Sequence, residues 1–305
     1  MPAPDRPSSP PGFALLRKPE GITSFQALGP VKRATGIAKV GHAGTLDRFA
    51  RGLLIALWGP YSRLSNYFAS GQKAYVGAVR FGEETDTLDP EGRIVARAEP
   101  PDRRTIEEAL ARFRGNVVQK PPAFSAIHVD GTRAYKLARA GKEPELKDRG
   151  VIISELELRS FDGVDAVIAL RCSAGTYVRS LARDLALACG SRAHLAALER
   201  TAIGPFRVED AVGPEEFDPA RDALLLSPDH ASALGLKPLF LAEGRERGFN
   251  NGCRLEQSLF APDTGALFET TGARAVFSPS GTLLGVIEVE PRSAVYKLVL
   301  AGSSS

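Results

Sequence analysis

The 305 residues contain few groups from which a covalent or metal-held framework could be built. Cysteine occurs three times, at Cys172, Cys189 and Cys253, far apart and without a CxxC pair. Neither a disulfide frame nor a zinc site is expected, and a reducing, cytoplasmic setting fits. Histidine occurs four times, at 42, 128, 194 and 230, with no pair close enough to suggest shared ligation, so no metal is expected. No apolar run approaches the roughly 18 residues that a membrane helix needs, so no membrane partner is expected. The opening MPAPDRPSSPPG has no apolar centre; it is not a secretory signal and reads as a disordered leader over 1–12.

What is present reads as an ordinary globular protein. Hydrophobic residues make up 43% and charged residues 25%, and a chain of this length suggests two domains. The net charge of +3 conceals an asymmetry. Residues 208–305 carry 8 basic and 14 acidic side chains, leaving 31 basic and 22 acidic residues in 1–207. A basic body with an acidic tail is consistent either with a polyanionic partner for the first two-thirds or with ordinary solvated charge.

Strand and helix signals are mixed, without regular alternation, which indicates α+β. KAYVGAVRFG at 73–82 reads as a strand with Ala74, Val76 and Ala78 on one face and Tyr75, Gly77, Val79 and Phe81 on the other. DRRTIEEALARFR at 102–114 reads as a helix, with Thr105 and Glu108 at capping-box spacing and Gly115 as its stop. Segments 151–161 and 164–173 flank Asp162-Gly163 as a hairpin, and a helix follows over about 178–189. The stretch 121–150, with six basic and four acidic residues, is too long an excursion to be idle and has a short helical piece near 132–140. Beyond about 235, turn signals at Asn250-Asn251-Gly252, Pro262-Asp263 and Pro279-Ser280-Gly281 separate short β-rich pieces such as 282–289, which suggests a small all-β domain.

The sharpest local feature is GHAGTLD at 41–47, where glycines three apart permit tight backbone and His, Thr and Asp supply polar groups. By itself, such an Asp is most often a turn former. The ordered set of motifs carries more weight. KPEGITS at 18–24, GHAGTLD at 41–47, KAYVGAVRFGEETDTLDPEG at 73–92, PPAFSAIHVDGTRAYKLAR at 121–139, GTYVRSLARDL at 175–185 and HLAALERTAIGPF at 194–206 resemble, in order, the motifs of the TruB family of tRNA pseudouridine synthases.

The resemblance implies a pseudouridine synthase fold, with a central mixed, mainly antiparallel sheet flanked by helices and loops. The catalytic domain would span 13–230, 121–150 would be an RNA-clamping insertion, and 235–305 a small β-rich PUA-like module. It implies isomerisation of uridine 55 in the T loop of tRNA. This reaction imports no group and oxidises nothing, so no cofactor is needed. Asp47 maps to the catalytic carboxylate, Tyr75 to a ring that stacks on the base, and Arg179 to the partner that keeps Asp47 ionised. The target nucleotide must leave its stack; His42 maps to a residue that fills or holds open the space it vacates, and Leu198 and Tyr177 map to contacts with the flipped nucleotide. The bland readings are a satisfied structural histidine for His42 and a core position for Leu198. Arg133, Lys136, Arg139 and Lys142, spaced by three, would form a basic helical stripe along phosphates or a merely solvated one. A monomer acting alone is expected.

The sequence departs from the family pattern at several points. Arg48, Phe49 and Arg51 follow Asp47 where Pro-Leu-Ala-Thr-Gly is usual, Ala43 replaces a Thr, and Glu199 replaces one of two arginines. Arg48 and Arg51 would add phosphate contacts and Glu199 would subtract one. Gly29-Pro30 interrupts an expected first helix. Asp86 and Asp89 read as a turn, and a glycosidase, which needs two carboxylates at fixed separation, fits poorly. The alternatives are a non-catalytic RNA-binding or RNA-folding protein on the same scaffold, or a synthase for another RNA.

Overall fold

A computed structural model describes residues 9–125, 127–129, 131–142, 144–262 and 270–300. Residues 1–8 of the expected leader, and Asp263 of one expected turn, lie outside them. Residues 9–12, expected to belong to that leader, are instead held against the fold. Ser9 donates its backbone N–H to Thr35 O at 3.0 Å, Trp58 Nε1 donates to Pro10 O at 2.8 Å, and Gly12 already begins a strand.

The main sheet is built from β1 (Gly12–Lys18), β2 (Val40–Ala43), β3 (Arg51–Trp58) and β4 (Lys73–Phe81). The chain then makes a ribbon of β5 (Glu83–Thr85) and β6 (Ile94–Arg97), and adds β7 (Gly115–Gln119). A second ribbon, β8 (His128–Val129) with β9 (Thr132–Arg133), precedes β10 (Arg149–Phe161), β11 (Asp165–Cys172), β12 (Ala193–Ile203) and β13 (Phe206–Arg207). Among the described residues the sheet has nine strands in the order β1-β3-β12-β4-β11-β10-β7, with β2 beside β3 and β13 beside β12. Only β3 and β12 pair in parallel, so the sheet is mixed and mainly antiparallel.

β3 is an unbroken apolar run because both of its faces are covered. Leu53, Ile55 and Leu57 join one core cluster, while Leu54, Ala56 and Trp58 join another. Its first turn depends on Gly52, which sits at φ +108° opposite Arg200. A Cβ there would lie 2.4 Å from the carbonyl oxygen of Arg200.

The helices cover this frame. α1 (Gly29–Thr35) begins at the Gly-Pro pair, so Pro30 falls in the first turn, where its missing N–H costs nothing; the pair starts the helix and does not interrupt it. α2 (Ser65–Ser70) leads into β4. α3 (Arg103–Leu110) is capped by Asp102, whose side chain accepts from Thr105 N at 2.8 Å, so the cap lies three residues before the expected one. α4 (Ala134–Arg139) has six residues and holds only Lys136 and Arg139 of the expected basic stripe, with Arg133 at its cap and Lys142 beyond its end. α5 (Val178–Ala188) packs Leu181, Leu185 and Ala186 against Ile106 and Leu110 of α3 and against β12. The hairpin β10–β11 turns at Asp162, whose carboxylate accepts from Val164 N and Asp165 N.

After α6 (Pro219–Asp222) and α7 (Pro228–Ala233) comes a four-stranded sheet of β14 (Lys237–Phe240), β15 (Gly272–Phe277), β16 (Leu283–Glu290) and β17 (Ser293–Val299). It is β-rich but not all-β, since α8 (Glu246–Asn250) follows β14. Its inner face is continuous with the main core: Phe277, Val286 and Leu298 share a cluster with Phe13, Phe68 and Leu236. No helix among the described residues is long and apolar enough to cross a membrane.

Candidate active site

Asp47 stands in the irregular segment after β2. Gly44, at φ +79°, turns the chain out of the strand. Ser24 then fixes it, since its hydroxyl donates to Leu46 O at 3.0 Å and accepts from Leu46 N at 2.8 Å. Asp47 therefore sits one residue beyond a doubly bonded anchor. Arg179, in the first turn of α5, reaches it with Nε at 2.9 Å from Oδ2 and Nη2 at 3.3 Å from Oδ1. The guanidinium side chain is 5% exposed, while that of Asp47 is 38% exposed and faces open space.

That space is a cavity of about 580 Å³, within the usual range for a small-molecule site. Asp47, Tyr75, Asp89, Arg179, Leu198 and Arg200 are on its wall, and Tyr177 and Arg139 also line it. Of the residues singled out from sequence, the fold thus gathers Asp47, Tyr75, Arg179, Leu198, Tyr177 and Arg139. Leu198 is 8% exposed within the core cluster, as its core reading expects, and it also lines the cavity. Arg133 and Lys136 are exposed and off the wall. His42 is also off the wall: it lies in β2, and its Nδ1 is buried without a hydrogen-bond partner among the described residues. Burial, and then the charge of Arg200, hold its pKa below the ordinary value.

Several residues of this site were not recognised from sequence. Asp89 forms part of a turn, as its spacing suggests, but the turn delivers it to Arg179 beside Asp47. Leu88 adopts φ +61°, rare for a non-glycine residue and concentrated at functional sites. Asp89, 6% exposed, then accepts from Arg179 Nη1 at 3.3 Å and from Thr87 Oγ1 at 2.6 Å. Arg179 also donates to the carbonyls of Thr87 and Phe124 at 2.9 and 3.0 Å. Lys18, fully buried, donates to Pro19 O at 2.9 Å and to Ile22 O at 2.7 Å; burial lowers its pKa to about 8, against the opposing pull of Asp47. Arg200 and Lys73 complete the wall. All of these lie inside quoted motifs, but only tertiary pairing distinguishes them from their neighbours.

The electrostatics revise one expectation. Arg179 does favour the ionised form of Asp47, but burial outweighs it and Asp89 adds like-charge repulsion, so the carboxyl lies above its ordinary pKa. Burial likewise raises the Tyr75 phenol, with Arg200 opposing.

The departures at 48, 51 and 199 are also explained. Arg51 and Glu199 are cross-strand partners and pair with each other, with Nη2–Oε2 at 2.9 Å and Nε–Oε2 at 3.1 Å. Arg48 donates from Nε to Gly21 O at 2.9 Å and stands 3.8 Å from Glu91. These groups are engaged with the protein itself, with both arginine side chains still largely exposed. Phe49 is buried in the core.

The backbone as a whole is similar to that in a structure described as the archaeal box H/ACA sRNP Nop10-Cbf5 complex, with TM-score 0.70 and 19% identity over 96% of this chain and 87% of that one. It matches a Cbf5-Nop10-Gar1 complex at TM-score 0.69 and 18% identity, over 95% and 85%. The fold is the pseudouridine synthase fold. Residues 32–178 match the family described as TruB family pseudouridylate synthase (N terminal domain). A tRNA pseudouridine synthase B from Leifsonia xyli is 39% identical over 93% of this chain and 94% of its own length. Those from Borreliella burgdorferi and Bordetella pertussis are 47% and 46% identical, over 68% and 70% of this chain and 75% and 88% of theirs. The chain belongs to the TruB family of pseudouridylate synthases, enzymes that isomerise uridine to pseudouridine.

Proposed function

We propose that this enzyme converts uridine 55 in the T loop of tRNA to pseudouridine, with Asp47 as the group that meets C1′ when the glycosidic bond breaks. The observation that carries this reading is the Asp47–Arg179 pair, held at 2.9 Å on the wall of a cavity that Tyr75 and Leu198 also line. In this reading the flipped uridine enters with its ring against Tyr75 and Leu198, and Tyr177 borders the same space. Arg179 orients the carboxylate and favours its charged form. His42, in β2 just before the catalytic segment, would meet the vacated stack. Arg139 at the cavity, with Arg133 and Lys136 on the surface, would follow the phosphates from the insertion at 121–150. The four-stranded C-terminal sheet would act as a PUA-like grip on the tRNA. The names of the relatives support tRNA as the substrate, and the work would be done in the cytoplasm by a monomer without cofactor.

The test is incubation of the purified protein with an unmodified tRNA transcript, followed by mapping of pseudouridine at single-nucleotide resolution. Product at uridine 55 is expected, and Asp47→Asn is expected to abolish it while tRNA affinity stays within about tenfold, since the carboxylate acts mainly after binding. Normal turnover by that variant would remove Asp47 from the mechanism. Tight binding without product in the unmodified protein would favour a non-catalytic RNA-folding role on the same scaffold.

A further inference from the structure

Two buried cations on the cavity wall lack a carboxylate partner. Lys73, 7% exposed, and Arg200, 1% exposed, both line the cavity. Neither joins an ion pair among the described residues, whereas Arg179 has two. Lys73 Nζ donates to the carbonyl of Ala69. Arg200 donates to the carbonyls of Leu53, Gly44 and Thr45 at 2.8, 3.0 and 3.5 Å. Carbonyls satisfy hydrogen bonds but do not cancel charge, and an unpaired ion out of water is strongly unfavourable. The position of the two is specific. Lys73 and Tyr75 are two apart on β4 and share a face, and Arg200 is directly opposite Tyr75 on β12. Positive charge therefore flanks the ring on which the base would lie.

We propose that Lys73 and Arg200 form a cationic wall that stabilises the detached uracil as an anion between cleavage and re-formation of the glycosidic bond. This rests on the uridine-isomerising reading above. When C1′–N1 breaks, the bonding pair stays on the uracil, spread over N1, O2 and O4, and the electron-poor C1′ is met by the Asp47 carboxylate. The ring turns, and C5 supplies a pair to C1′ as Asp47 is released. C5 then loses its proton to water and N1 gains one. Nothing is oxidised or reduced. The bound uridine is neutral, so the wall gains its counter-charge only along the reaction path, where fixed charge accelerates the reaction most.

The experiment uses the full-length protein in single-turnover reactions on a T-stem-loop RNA carrying uridine or 5-fluorouridine at the target, comparing Lys73→Met, Lys73→Arg and Arg200→Lys. Fluorine withdraws charge from the ring and reduces the need for the wall; because it also replaces the C5 proton, the rate read on both substrates is that of C1′–N1 cleavage, measured as loss of the starting nucleoside. Lys73→Met is expected to slow uridine consumption about 10²-fold, as for loss of one charge-stabilising donor, with RNA affinity little changed. Its deficit on 5-fluorouridine should be at least several-fold smaller, and Lys73→Arg should recover most of the rate. Lys73 is faced by Arg200 from β12, Tyr75 from its own strand, Cys172 from β11 and the Ala69 carbonyl from α2. Burial and Arg200 lower its pKa to about 8, so the wild-type rate should fall as pH rises through about 8, and Lys73→Arg should move that limb upward. Equal deficits on the two substrates, loss of affinity alone, or an unmoved limb would overturn the proposal. Should Lys73→Met fail to fold, the substrate ratio of Lys73→Gln, which removes the charge but keeps a donor for the Ala69 carbonyl, decides in the same way. A wild-type protein that leaves every uridine unchanged overturns the functional reading itself, an outcome separate from a substrate-independent deficit.

Discussion

Asp47 shares its arginine with a second carboxylate. Arg179 lies 2.9 Å from Asp47 and 3.3 Å from Asp89, so its position is fixed from two sides. The same arrangement places like charge near Asp47, and together with burial it raises that carboxyl above its ordinary pKa. Activity that needs ionised Asp47 should therefore decline, as pH falls, at a higher pH than an ordinary carboxylate would dictate. Asp89→Asn removes the like charge, which favours the ionised form and lowers the Asp47 pKa. Its acid limb in a single-turnover pH profile should move to lower pH, with a reduced plateau because Arg179 loses one anchor. A limb that stays in place would show that Asp89 does not act on Asp47 through charge. The departures Arg51 and Glu199 show a related point: two residues that each depart from the family pattern form a cross-strand ion pair together.

At the scale of elements, β12 organises the site. It joins β3 in parallel on one side and β4 antiparallel on the other. Leu198 and Arg200, alternate residues of one strand, thus face the same cavity as Tyr75. The close approach to β3 requires a residue without a side chain at position 52. Gly52→Ala would place a Cβ 2.4 Å from the Arg200 carbonyl and also force φ +108° on a residue that avoids it. A loss of stability on the order of 3 kcal/mol is expected, read as a lower melting temperature, with activity falling further because Arg200 is displaced. A variant that melts like the parent would show that the two strands can separate without cost.

For the molecule as a whole, the C-terminal sheet is not a loosely tethered addition. Phe277, Val286 and Leu298 complete the cluster that contains Phe13, Phe68 and Leu236, and Arg63 Nη1 donates to Val299 O at 3.1 Å. Removing 235–305 would expose this face of the main core to water. The truncated chain should melt well below the full chain or fail to fold, as seen by circular dichroism on heating. A truncated chain with an unchanged melting temperature would show that the two sheets are energetically independent.

The sequence alone determined the elements whose signals are local. The alternation in 73–81, the Asp-Gly turn of the 149–172 hairpin and the helix over about 178–189 depend on neighbours within a few residues, and each appears where its pattern indicates. The motif GHAGTLD stood out by its glycine spacing, but only its resemblance to a family motif singled out Asp47, since an Asp on a glycine turn is by itself most often a turn former. Tertiary structure decided what depends on partners far along the chain. Asp89 looked like a turn residue because its interaction with Arg179 spans 90 positions. Arg200 looked like the remainder of a broken pair because its guanidinium is held by carbonyls of a segment about 150 residues earlier. The direction of the Asp47 pKa could not be read from the presence of an arginine, since burial is set by the assembled cavity and exceeds the pull of any one partner.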